Sequence, residues 1–158
     1  MRRLLIPVLA LSVICLAPVA HAAVKTSADV VEAAPAVATV TAKPGQRVDF
    51  TIKVDIDHTW HLYAHGDTNF LGIDLVPDEF FPLQDFQATY PEGKAKKFFG
   101  EMVLMIEGSQ VIKASALVPP GMQAGEQPLD LVVAVQACDD KTCLQPARIP
   151  VSLTLKVE

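Results

Sequence analysis

The sequence predicts an all-β chain folded as a β-sandwich, on three observations. Apolar and polar residues alternate over several short segments, clusters of Pro and Gly punctuate the gaps, and no segment keeps an amphipathic helical pattern for three turns. Met1 to Ala22 read as an export signal: Arg2 and Arg3 supply the positive start, Leu4 to Val19 the apolar stretch, and Ala20-His21-Ala22 the small-x-small cleavage site. An uncleaved anchor is the competing reading, but Pro7 and Pro18 interrupt the stretch, and a span favours about 20 uninterrupted apolar residues. Cys15 is expected to leave with the signal.

From Ala23 to Pro35 no period is visible, and the segment is expected to be a loosely held arm before a domain of residues 36–158. Lys43-Pro44-Gly45-Gln46 is a turn feeding Arg47 to Ile56, where Val48, Phe50, Ile52, Val54 and Ile56 share one face. Similar alternation predicts strands over Val111 to Val118, Leu129 to Ala137 and Ile149 to Val157, the last burying Ile149, Val151, Leu153, Leu155 and Val157. Turns fall at Tyr90-Pro91-Glu92-Gly93, Glu107-Gly108-Ser109, Pro119-Pro120-Gly121 and Ala124-Gly125-Glu126. Short strands so punctuated are the pattern of an immunoglobulin-like sandwich.

Of the 13 basic residues, Arg2 and Arg3 go with the signal, leaving 11 against 18 acidic ones, a net charge of −7. No basic stripe offers a nucleic-acid surface, and no second apolar run is long enough for a membrane. Phosphate-loop, Gly-x-Ser-x-Gly and His-Glu-x-x-His motifs are missing, so hydrolase and nucleotide chemistry have no support. His58, His61 and His65 with Met102, Met105 and Met122 raise a copper site, but odd spacings split His58 from His61 and Met102 from Met105 on any strand. Asp55, Asp57, Asp67 and Asp74 lack the ligand spacing of a calcium loop. The sequence calls for no metal and no organic cofactor.

Chemistry concentrates in Cys138 and Cys143, with four residues between them after a strand-like run. A bridge closing six residues restricts the unfolded chain by only about 2 kcal/mol, against roughly 4 to 5 for a loop of a hundred, so it is a weak staple. Two cysteines on one short loop meet the needs of disulfide exchange, in which one sulfur attacks and its neighbour resolves. Asp139 and Asp140 disfavour a thiolate and Lys141 favours one, so no strongly depressed thiol pKa is expected. On spacing alone, a hairpin staple that never opens fits as well.

Four segments in order break that tie. Gln136-Ala137-Cys138 to Cys143-Leu144-Gln145-Pro146 resembles the cysteine loop of the N-terminal periplasmic domain of DsbD-type thiol:disulfide interchange proteins. Thr59-Trp60-His61-Leu62-Tyr63 resembles that family's aromatic strand, and Phe80-Phe81-Pro82-Leu83 to Tyr90-Pro91 its proline-flanked middle. Lys97-Phe98-Phe99-Gly100-Glu101 resembles its cap segment.

The resemblance implies an immunoglobulin-like domain that takes electrons from a thioredoxin-like or membrane donor and passes them to exported oxidoreductases. Cys143 would form the mixed disulfides and Cys138 resolve them. Phe98 would be the aromatic cap and Tyr63 an active-site neighbour, with His61, Phe99, Lys96 and Lys97 beside them. The location implied is the periplasm, and with no further domain in the chain the donor is expected in trans. The family's best-known members have one more residue between the cysteines and an acidic pair where this chain has Lys96-Lys97, which should lower rather than raise a nearby thiol pKa. Two rivals stand beside this reading: a β-sandwich binding or adaptor domain with a structural disulfide, and a copper-delivery protein using both cysteines.

Overall fold

The computed structural model describes residues 24–67, 70–98 and 100–158; the expected export signal, residues 1–22, lies outside them. A short 3-10 turn, η1 (Ser27–Asp29), leads into eleven strands: β1 (Val31–Pro35), β2 (Thr39–Ala42), β3 (Arg47–Ile56), β4 (Leu62–Tyr63), β5 (Asp74–Pro77), β6 (Gln84–Thr89), β7 (Lys94–Phe98), β8 (Glu101–Ile106), β9 (Ser109–Leu117), β10 (Gly125–Val135) and β11 (Ala147–Val157). They make an immunoglobulin-like sandwich of two four-stranded sheets, ordered β1-β3-β9-β6 and β2-β11-β10-β5, with a small third sheet, β4-β8-β7. All pairings are antiparallel except β2 with β11.

Alternation builds the core. β3 turns Val48, Phe50, Ile52, Val54 and Ile56 inward, as its sequence predicts, against Leu129, Leu131, Val133 and Val135 of β10 and Val151, Leu153, Leu155 and Val157 of β11. On β9 the inward set is Ile112, Ala114 and Ala116, while Val111 faces out. Among the described residues no helix is long and apolar enough to cross a membrane.

The reading of residues 23–35 as a loose arm does not hold. From Thr26 onward the segment is built into the sandwich, and β1 pairs with β3 from Val31↔Ile56 to Pro35↔Ile52. No period was visible because Val30 and Val31, adjacent in sequence, are both buried, one in the turn after η1 and one on the strand. Pro35 fits because β1 is an edge strand, where a missing N–H costs nothing on the open side.

Val31→Ala removes two fully packed methyl groups and is expected to cost about 2 kcal/mol in denaturant unfolding. A change within about 0.5 kcal/mol, the size seen at surface positions, would return this segment to a loose arm.

Candidate functional site

The cysteines sit on a small hairpin between β10 and β11. Leu144 N–H donates to the Ala137 carbonyl at 2.8 Å and Asp139 N–H to the Thr142 carbonyl at 2.9 Å. Cys138 and Cys143 therefore face each other between these bonds, in a bridge whose Cα atoms are 4.0 Å apart, and the two sulfurs are bonded. Such non-hydrogen-bonded positions bring opposed side chains closest. Asp139 closes the tip: its Oδ1 accepts from the N–H groups of Lys141 at 2.8 Å and Thr142 at 2.7 Å. Those bonds hold its carboxyl below the ordinary carboxylate value.

The base of the hairpin is tied by the N-terminal segment. Ser27, fully buried, accepts from Ala137 N–H at 2.9 Å and donates to the Gln145 carbonyl at 2.8 Å, so one hydroxyl holds both legs. Its own N–H also donates to the Gln145 carbonyl, at 2.9 Å.

The small sheet supplies the cover. His61 exchanges two backbone hydrogen bonds with Cys138, at 2.9 and 3.0 Å, which locks the start of β4 to the cysteine loop. In such a pair both side chains lie on one face, and Tyr63, two residues on, shares it. Cys138 is completely buried with Tyr63, Phe98, Val103 and Met105, and Phe70 packs against them. The rings interlock: Tyr63 stacks on Phe70 at 4.2 Å between centroids, and Phe98 meets His61 at 5.5 Å, Phe70 at 5.9 Å and Tyr63 at 6.2 Å. Gly72 lets the chain after Phe70 return against β4, because a Cβ there would stand 2.3 Å from the Ala64 carbonyl oxygen.

The two sulfur-bearing residues differ sharply in environment: Cys143 is exposed whereas Cys138 is sealed. Around them the charges nearly offset. Lys96 lies on the Phe98 face of β7 and is ion-paired with Glu107, whose carboxyl that contact holds low. Lys97 points to the opposite face. The Tyr63 phenol is pushed up by burial and then by the negative charge of Asp67. Burial is also the main influence on His61, pushing its imidazole below the ordinary value; Lys96 adds to this, while Glu107, Asp140 and Asp139 oppose it. Among the described residues neither His61 Nε2 nor the Tyr63 hydroxyl, both buried, has a hydrogen-bond partner.

The structure thus brings together Cys138, Cys143, Tyr63, His61 and Phe98, with Lys96 at the margin; Phe99 lies outside the described residues. Phe70 and Ser27 are additions that sequence reading missed. The only sequence signal for Phe70 is a lone aromatic in a polar loop, and for Ser27 there is none. His58 is exposed while His61 is buried, Met102 is exposed while Met105 is buried, and the described residues hold no group of three or more His, Cys, Asp or Glu placed to bind a metal.

A β-sandwich whose short-loop disulfide is sealed on one side by an aromatic cap and open on the other defines a domain arranged around a single cysteine pair. Residues 27–154 match the family described as thiol:disulfide interchange protein DsbD, N-terminal, and the chain belongs to that family of thiol:disulfide exchange domains. Two solved structures are similar in fold. The N-terminal periplasmic domain of ScsB from Proteus mirabilis gives a TM-score of 0.54 at 13% identity, over 80% of this chain and 45% of that one. The Neisseria meningitidis DsbD N-terminal domain in the reduced form gives 0.48 at 16% identity, over 73% of this chain and 80% of that one. This chain therefore spans less than half the length of the ScsB chain. No curated protein sequence matches it.

Ser27→Ala leaves the buried Ala137 N–H without its acceptor. It is expected to cost about 1 to 3 kcal/mol in stability and to speed amide exchange at Ala137 and Leu144 selectively. Uniform protection across the domain in the variant would mean that the hydroxyl does not hold the hairpin.

Proposed function

We propose that this domain is an exported carrier of reducing equivalents, working in the periplasm, which cycles Cys138 and Cys143 between disulfide and dithiol. The observation that carries this reading is the asymmetry of the pair, with Cys143 open to a partner and Cys138 enclosed beneath Phe98, Tyr63 and Phe70. A staple gains nothing from an exposed half and a removable cover.

In loading, a thiolate of a thioredoxin-like or membrane donor attacks Cys143 Sγ. The Cys138–Cys143 bond breaks, and Cys138 leaves and is protonated. The donor's second thiolate then attacks its own sulfur in the mixed disulfide and releases Cys143, so two electrons have passed to this chain and the donor holds a disulfide. In delivery, the Cys143 thiolate attacks the disulfide of an exported oxidoreductase and expels one client thiolate; Cys138 then attacks Cys143 Sγ, expels the second and restores the Cys138–Cys143 bond. Electrons come and go on thiols, so the exchange needs no metal or organic cofactor.

Phe98 suits a lid. It is the single buried residue of β7, an edge strand paired only with β8 and exposed at its other four residues, so one ring joins this strand's side chains to the cysteine cluster. While shut, it keeps water from Cys138, the sulfur that must leave as a thiolate when a small thiol attacks Cys143. Phe98→Ala is expected to speed reduction of the disulfide by dithiothreitol about tenfold with the fold intact; an unchanged rate would deny it the role of cover.

The decisive measurement is the reduction potential of residues 23–158, by equilibration in graded thiol buffers and trapping of free thiols. The expected value lies within the thioredoxin-like range, about −270 to −120 mV, and Cys138→Ser should trap partners on Cys143. A potential below about −300 mV would make the bond a staple and leave a β-sandwich binding domain.

A further inference from the structure

We infer that His61 is the proton partner of Cys138, taking the thiol proton as Cys138 resolves a mixed disulfide and returning it when Cys138 is the leaving group. This rests on the carrier reading above and adds a residue to its chemistry. Three features of the geometry support it. His61 and Cys138 form a hydrogen-bonded antiparallel pair, so their side chains lie side by side on one face, with Cβ atoms of such pairs about 5.5 Å apart. His61 is 4% exposed, and its Nε2 is covered and has no hydrogen-bond partner among the described residues, an arrangement that costs stability and calls for an explanation. The ring is also held in place, edge-on to Tyr63 at 5.6 Å and to Phe98 at 5.5 Å.

The chemistry of the buried sulfur calls for such a group. A thiol in apolar surroundings resists losing its proton, and a thiolate expelled there has no water to stabilise it. Cys138 must do both, once in each half of the cycle. His61 also forms part of the wall of a cleft of about 540 Å³, open to solvent and lined by Trp60, Lys96, Glu107 and Asp140 among others. The cleft gives the imidazole an aqueous neighbour with which to exchange a proton.

In delivery, with the client bonded to Cys143, the Cys138 proton passes to the neutral imidazole of His61 and the Cys138 sulfur attacks Cys143 Sγ. The bond from Cys143 to the client breaks, the client sulfur leaves as a thiolate that takes a proton from solvent, and the imidazolium releases its proton to the cleft. In loading, the imidazole takes a proton from the cleft as the donor attacks Cys143 and passes it to the departing Cys138 sulfur. The charged groups that act on the ring are Lys96 on β7, Glu107 after β8, and Asp139 and Asp140 on the cysteine loop; Tyr63 packs on it, and Asp57 and His58 on the preceding turn line the same cleft. Burial dominates these influences and keeps the imidazole neutral, hence able to accept, down to a pH below its ordinary value of about 6.5.

The test is stopped-flow reaction of the reduced chain with dithionitrobenzoate, which releases two coloured thiolates in sequence. The first reports attack by Cys143 and the second resolution by Cys138; Cys138→Ser must stop after the first. For His61→Phe and His61→Gln the first release is expected to stay within about twofold of wild type while the second slows about a hundredfold. In the wild-type chain, which needs no variant to fold, the second rate should fall as pH drops through an imidazole titration below about 6.5 that the first lacks. A second release unchanged in both variants, both releases slowed alike, or a wild-type second rate without that limb would overturn the role of His61. The carrier reading fails separately, on the reduction potential, because this reaction starts from chemically reduced protein.

Discussion

The two backbone hydrogen bonds between His61 and Cys138 are the constraint on which the site depends. A cysteine hairpin at a strand end would otherwise be a solvent loop. This pair satisfies the peptide groups of a completely buried Cys138 and joins the loop to the small third sheet. Alternation then follows: Ala137 turns to the main core, Cys138 to the aromatic cluster, and the opposite leg of the hairpin leaves Cys143 at the surface. A slip of one residue in this pairing would exchange the environments of Ala137 and Cys138 and remove the sulfur from its cover.

The rigid and yielding parts of the molecule divide along the same line. The sandwich holds a continuous core from β1 to β11, and Ser27 fastens the hairpin to it by a hydroxyl bonded across 110 and 118 residues of sequence. The cover is thinner. β4 has two residues, and β7 is an edge strand whose Lys94, Ala95, Lys96 and Lys97 are all exposed. Local opening free energy tracks buried contact, so the cover is the part of the site held least by the core, while Ser27 keeps the cysteine hairpin registered on the frame.

That division also explains what could be read from the residues alone. Arg47 to Ile56 was legible because one face meets the core and the other meets solvent, which writes a period of two into the sequence. The strands of the cover carry no such record: Lys94 to Lys97 are exposed on both faces, and β8 buries only Val103, Met105 and Ile106. The cysteine pair and Phe98 were legible by resemblance. Ser27 and Phe70 were not, because their roles come from tertiary approach: one hydroxyl reaching a loop more than a hundred residues away, and one ring laid on Tyr63 by a turn that only Gly72 permits.

Lys96-Lys97, read as a charge reversal beside the sulfurs, loses most of that force in the structure. Lys97 faces away, and Lys96 is engaged by Glu107, so little net positive field reaches the pair. What remains near Cys138 is exclusion of water, the leading influence on both His61 and Tyr63. Exclusion depends on the cover, the ring cluster of Phe98, Tyr63 and Phe70 over Cys138. In the proposed carrier, a docked partner that displaces Phe98 would take its place as the barrier to water, so the buried sulfur would keep its need for a proton partner during exchange. In that reading the proton chemistry and the protection of the cysteines would both follow from exclusion of water, with little left for fixed charges at the rim to tune.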